Sequence, residues 1–287
     1  MTQKQKGILC ILAAAFFFSL MNVFVRLAGD VPSVQKSFFR NVVAILFAGI
    51  LLLRSPETVT LKPGDLKYLL LRSAFGTLGI LCNFYAVDHM VLADASMLNK
   101  MSPFFAILFS YFLLKEKISL VQAAAVIAAF IGSLCIIKPS GQTMEFLPSL
   151  IGLTGGMGAG IAYTMVRILG KRGIKGPFIV FFFSAFSCLV VLPYVLLNYH
   201  PMSGMQVLML LCAGLAASGG QFAITGAYCF APAREISVYD YSQIIFSAIL
   251  GFFLFQQIPD MFSWIGYLII CTAAVGMFLY QKNQTAA

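Results

Sequence analysis

Apolar runs of about 20 residues recur along the whole chain, and short connections between them carry most of its Lys and Arg. A run of that length, wound as a helix, crosses about 30 Å of hydrocarbon. Ten runs are found, at roughly 7–28, 33–53, 66–87, 93–114, 118–137, 148–169, 177–197, 206–229, 234–255 and 261–280. Only 10% of the 287 residues are charged, against about 25% in soluble domains, so lipid must be the solvent for most of this surface. In lipid each backbone polar group has to be paired within the protein, which leaves helices or a closed barrel. Runs this long, without strict alternation, decide for helices. The expected fold class is an all-α integral membrane protein with ten transmembrane helices.

Several other readings fall away. Lys4 and Lys6 ahead of an apolar run imitate a secretory leader, but the run is too long and lacks a small-residue exit, so it reads as the first span. The net charge of +9 invites nucleic acid, yet the cations sit between apolar runs, so no nucleic-acid partner is expected. The seven cysteines lie inside apolar stretches and form no C-x-x-C pair with one another. They read as small hydrophobes, and no metal or other cofactor is expected. The two histidines, His89 and His200, fall in separate connections, and no span carries paired carboxylates, so an enzyme is not expected.

The cations also set an orientation. Lys4, Lys6, Arg54, Lys62, Lys67, Lys115, Lys117, Lys171, Arg172, Lys175, Arg234 and Lys282 fall on one side if the spans alternate. The opposite connections hold Asp30, Asp88, Asp94, Glu145 and Asp260, with Lys138 as their main loop cation. The positive-inside rule then predicts both termini in the cytoplasm; a multi-pass protein of the plasma membrane is expected.

An internal repeat organises the spans. Shifted by 140 residues, "NKMSPFFAILFSYFLLKEKIS" lies on "YDYSQIIFSAILGFFLFQQIP", and at 141 "NVFVRL" lies on "YTMVRI". Each half holds five spans, an odd number, so the second must be inverted relative to the first. Inverted repeats are a mark of secondary transporters with sites near the midplane. The expected units are 1–140 and 141–287.

On these residues the chain resembles the drug/metabolite transporter superfamily, EamA type. Arg40 early in span 2 carries the resemblance, with the stretch "ADASMLNKMSPFFAILFSYFLLKEK" closed by Pro103 and Glu116, and its second copy "AREISVYDYSQIIFSAILGFFLFQQIP". The second copy departs by having Gln243 for Pro103 and Gln256 for the glutamate. The resemblance implies alternating access around a cavity lined by spans 1, 3, 4, 6, 8 and 9, and transport of small organic metabolites without ATP. It leaves the substrate open among amino acids, nucleotide-type metabolites, organic acids and cationic compounds.

Ionisable residues inside spans are functional candidates because a charge at mid-bilayer costs about 2.5–3.5 kcal/mol on insertion scales. Lys100 in span 4 and its repeat mate Asp240 in span 9 would reach one cavity from opposite faces. Lys100 is expected to meet an anionic group, with Asp240 as counter-ion or proton carrier; the bland alternative is a structural bridge. Arg40 reads as an anion-recognising fork or a helix anchor, and Lys36, one turn earlier, as a snorkelling cation at a helix end. Arg26, Arg167 and Glu116 read as gate or helix-end residues, and Arg72 as snorkelling. Asn22, Asn83, Asn99, Tyr239, Gln221 and Gln243 complete the expected substrate-binding set, with Tyr239 and Gln243 sharing one helix face. Tyr163 is a further polar group on a cavity span. The glycine run "GGMGAG" reads as close helix packing, because it follows no strand.

The function expected is therefore a permease or exporter of an anionic or zwitterionic metabolite. An exporter of amphiphilic cations held by Asp240 and aromatic faces is the alternative, followed by a channel. Expected partners are the small-molecule substrate, the lipid bilayer and a coupling proton or other ion. A monomer and a homodimer both fit the sequence.

Overall fold

The computed structural model describes residues 2–54, 61–114, 118–137, 146–230 and 237–284. Every element among them is helical: α1 (Gln3–Leu27), α2 (Ser33–Leu53), α3 (Asp65–His89), α4 (Leu92–Asn99), α5 (Ser102–Leu114), α6 (Leu120–Ile137), α7 (Phe146–Lys171), α8 (Gly176–Leu197) and α9 (Gly204–Phe230). A 3-10 turn, Ser237–Tyr241, then leads into α10 (Ser242–Phe255), and α11 (Met261–Gln284) follows. Eight of these helices are long and apolar enough to cross a membrane, and Tyr239–Phe255 forms a shorter apolar segment. The protein is a multi-pass membrane protein.

Two of the expected spans are not continuous helices. Span 4 breaks at Lys100–Met101 into α4 and α5. Pro103 offers no N–H to the Asn99 carbonyl four residues back, and its ring would strike that carbonyl in an unbroken helix. Span 9 begins as a 3-10 turn before becoming α-helical at Ser242.

Helix starts are legible in the chain. Thr2 and Gln5, Ser119 and Gln122, and Ser203 and Gln206 each exchange two side-chain-to-backbone hydrogen bonds at the heads of α1, α6 and α9. This reciprocal cap satisfies donors that the first helical turn leaves free.

Contacts between helix ends give successive spans opposite directions. Thus α1, α3, α6, α8 and α10 start at what we call the near end, and α2, α4, α7, α9 and α11 at the far end. Packing runs along pairs: α1 on α9, α3 on α7, α2 on α8 and α6 on α11. The break in span 4 lies against α7, where Gly156 and Gly160 remove the side chains that would keep the helices apart. A Cβ at Gly156 would overlap the Leu98 carbonyl oxygen, and one at Gly160 would stand 2.6 Å from Phe105 Cβ and 2.8 Å from Ser102 O. The glycine run therefore serves close packing, as expected from its context. Gly156→Ala should lower the unfolding free energy by about 1–3 kcal/mol through overpacking against backbone, read as a drop in thermal midpoint in detergent.

At the far end the helices are tied together. Lys36 Nζ donates to both Asp88 oxygens at 2.6 and 2.7 Å and to Gly29 O at 2.8 Å. Arg26 Nη1 donates to Val87 O and Met90 O, while Gln206 reaches Ala28 O and Asp30. At the near end, Arg172 bonds Asp65 and Pro63 O, joining the end of α7 to the start of α3.

Candidate functional site

The interruptions in spans 4 and 9 bring two opposite helix ends to one place. Lys100 is the C-cap of α4, and Asp240 lies in the 3-10 turn just before the first turn of α10. A helix C-terminus favours a cation and an N-terminus an anion, so each charge sits at the end whose dipole supports it. Lys100 Nζ donates to Asp240 Oδ2 at 2.6 Å across 140 residues of sequence. The Lys100 carbonyl accepts from Tyr241 Oη at 3.3 Å. Asp240 Oδ1 is buried and accepts no hydrogen bond from the described residues.

This pair borders a cavity of about 290 Å³. Eight of the nine expected substrate-binding residues line it: Asn22, Arg40, Asn83, Asn99, Lys100, Gln221, Asp240 and Gln243. The ninth, Tyr239, does not. Its expected facing with Gln243 assumed 100° per residue, but the 3-10 turn advances about 120° and sends it to an exposed position.

The lining runs from mid-depth to the near end. It stops at Asn22 on α1 and Phe84 on α3, begins only at Ala159 on α7 and Gln221 on α9, and includes Gly176, the first residue of α8. The far-end ties of Lys36, Arg26 and Gln206 lie beyond it. The cavity is thus closed at the far end.

A buried polar chain crosses the bundle at the closed end of the cavity. Asn83 Nδ2 donates to Asn22 Oδ1 at 3.3 Å, and Asn22 Nδ2 approaches Ser96 Oγ at 3.5 Å. Ser96 and Ser247 hydroxyls meet at 2.7 Å, Ser247 and Ser19 at 3.1 Å, and Ser19 donates to Gln243 O at 3.0 Å. In this way α1, α3, α4 and α10 are joined by side chains that would be costly to leave unpaired away from water.

Two cations end elsewhere than expected. Lys36 does not snorkel: it is fully buried against Asp88, because α3 ends beside it and supplies a carboxylate. Arg72 does not snorkel either. It lines the cavity, with its guanidinium carbon 3.9 Å from the Phe183 ring centroid. Tyr163 is a lining residue too. Arg40 is buried at the cavity with Nη1 on Asn41 Oδ1 at 2.7 Å. Arg26 occupies a helix-end position, with Phe255 beneath its guanidinium at 5.0 Å. Glu116 and the side chain of Arg167 lie outside the described residues.

The chain matches the EamA-like transporter family over residues 5–138. It is 32% identical to the pseudopaline exporter of Pseudomonas aeruginosa over 97% of its own length and 98% of that protein. It is 27% identical to human solute carrier family 35 member G1, over 98% of this chain and 80% of that one. An S-adenosylmethionine uptake transporter of Rickettsia prowazekii is 24% identical over 71% of this chain and 68% of its own. A solved crystal structure aligns with a TM-score of 0.65 over 96% of this chain and 98% of that chain; at 16% identity it speaks for a shared fold. A broken-helix cavity within a helical membrane bundle, and a relative matched along nearly its whole length, lead to one statement: the chain belongs to the EamA-like transporter family of the drug/metabolite transporter superfamily, and is a membrane transporter rather than an enzyme.

Proposed function

We propose that this protein is a secondary transporter that moves a small anionic or zwitterionic metabolite, carboxylate- or amino-acid-like, across the plasma membrane by alternating access. The observation that carries the reading is the charge of the cavity: among the described residues, Arg40, Arg72 and Lys100 line it against the single carboxylate of Asp240. Such a lining attracts an anion electrostatically, and the low dielectric around it strengthens that attraction. A zwitterion would also find a place, its carboxylate on Lys100 and its ammonium on Asp240, as the two let go of each other.

Alternating access rests on two inverted five-helix units, 1–140 and 141–287. The packing pairs support this division, because exchanging the halves maps the set onto itself. Span 1 on span 8 becomes span 6 on span 3, both observed as α1 on α9 and α7 on α3. Likewise α5 on α7 corresponds to α10 on α1, and α2 on α9 to α8 on α3. Asp65 and Gln206, 141 residues apart, play matching parts: each starts a helix and ties it to the end of the helix packed along it. The loop cations at the near end support a cytoplasmic location for both termini. The cavity then faces the cytoplasm with the outside closed. A coupling proton or other ion is part of the reading, with a monomer or homodimer in the bilayer.

The test is flux into and out of proteoliposomes under imposed proton or sodium gradients, with labelled carboxylates and amino acids. Saturable flux of at least one of them, absent from empty liposomes, is expected. Flux confined to lipophilic cations, or conductance that never saturates, contradicts the proposal.

A further inference from the structure

Resting on the reading of an anionic or zwitterionic cargo, we infer that Arg40 and Arg72 form an oxyanion subsite separate from the Lys100–Asp240 pair, and that Gly76 and Phe183 build it. The ligand group is a carboxylate or phosphoryl oxyanion. The cargo is then two-headed: one oxyanion rests on the arginines and a second charged group meets Lys100 and Asp240.

The argument begins with direction. Arg72 is seven residues into α3, about 10 Å from its start. Side chains on a helix lean back toward its N-terminus, and a snorkelling arginine would lean the same way here, toward the near end. Arg72 instead reaches forward over the next turn, because a Cβ placed on Gly76 would overlap its Nη1 and stand 3.0 Å from Phe183 Cε2. Gly76 is thus the gap through which the guanidinium reaches the ring of Phe183 and the cavity. Stacking on an aromatic face steadies the cation while leaving its in-plane N–H groups free for another partner.

Satisfaction is the second point. Arg40 is 5% exposed and Arg72 9%, and the Nε of each is buried without a hydrogen-bond partner among the described residues. Neither has a carboxylate within ion-pair distance among the described residues, whereas the buried lysines Lys36 and Lys100 both do. Two buried guanidinium groups on one cavity repel each other and are costly to hold empty. An oxyanion accepts from both, and planar forks suit carboxylate and phosphate oxygens. Asn41 fixes the fork of Arg40 from its own helix, and is in turn held by Ser187 at 2.9 Å and Ser37 at 3.3 Å.

The experiment uses the full-length protein in lipid nanodiscs, titrated with succinate in one arm and inorganic phosphate in the other. Chloride balances ionic strength, and each thermal midpoint is read against the same variant's own chloride baseline. Wild type should be stabilised saturably by at least one anion, and the stronger arm identifies the group. Arg40→Gln and Arg72→Gln should each raise the half-saturating concentration about tenfold or more, a single charge-assisted hydrogen bond being enough for that. Gly76→Ala should behave like Arg72→Gln although every charge is retained, and Arg72→Lys should fall between. Stabilisation by neither anion, or equal half-saturation in wild type, Arg40→Gln, Arg72→Gln and Gly76→Ala, overturns the subsite. If anion binding follows this pattern while proteoliposomes show no saturable flux, the subsite stands and the transport reading fails.

Discussion

Lys100→Ala should abolish saturable flux and lower the unfolding free energy by about 3–5 kcal/mol, the usual cost of leaving one member of a buried ion pair uncompensated. The carboxylate left behind is Asp240, whose Oδ1 already lacks a partner among the described residues and whose Oδ2 would lose its 2.6 Å bond. Asp240→Asn should cost less stability, since the Lys100 ammonium loses its counter-charge but still donates to the amide oxygen. The double variant Lys100→Ala with Asp240→Asn should recover much of the stability without recovering flux. Thermal unfolding with all four proteins gives the coupling energy, and flux separates its two meanings. A purely structural bridge would let flux return with stability, and that outcome would remove the pair from the substrate site.

The second large effect concerns the far end. Lys36 is fully buried and holds both oxygens of Asp88 together with Gly29 O, so it ties the start of α2 to the end of α3 and to the α1–α2 turn. In a background without the seven native cysteines, Ile80→Cys reports on the cavity that Ile80 lines. A membrane-impermeant thiol reagent should label it from the near-end side in the parent protein and hardly at all from the other. With Lys36→Ala added, labelling from the far side should rise about tenfold or more, because removing the pair takes roughly 3–5 kcal/mol from the closed arrangement. Unchanged labelling would mean that the hydrogen bonds of Arg26 and Gln206 hold that end shut by themselves.

Much of the cavity lining is legible in the sequence. Lys100 and Asp240 are conspicuous in apolar runs, and a repeat shift of 140 residues paired them. Asn22, Asn83, Asn99, Gln221 and Gln243 followed from their spans, and Arg40 from its depth. The burial of Arg72 and Lys36 is not legible in the sequence, for one reason. Position near a helix end says that a long cation could reach water, but not whether its side of the helix faces lipid or protein. Asp88 comes from another helix than Lys36, and Phe183 is contributed to Arg72 by α8, more than a hundred residues away. Tyr239 lies off the cavity lining for a local reason, a change of helical pitch that its sequence does not advertise.

The sequence by itself determined the solvent, the helical class, the run lengths, the caps and the candidate charges. Each of these depends on hydropathy or on interactions within a few residues. The tertiary structure decided which charges meet, which end of the cavity is closed, and that spans 4 and 9 present broken helix ends rather than smooth faces to its centre. Those outcomes depend on contacts between residues far apart in the chain: Gly156 admitting the break at Leu98, Gly76 admitting Arg72, and the dipoles of α4 and α10 aimed at one ion pair.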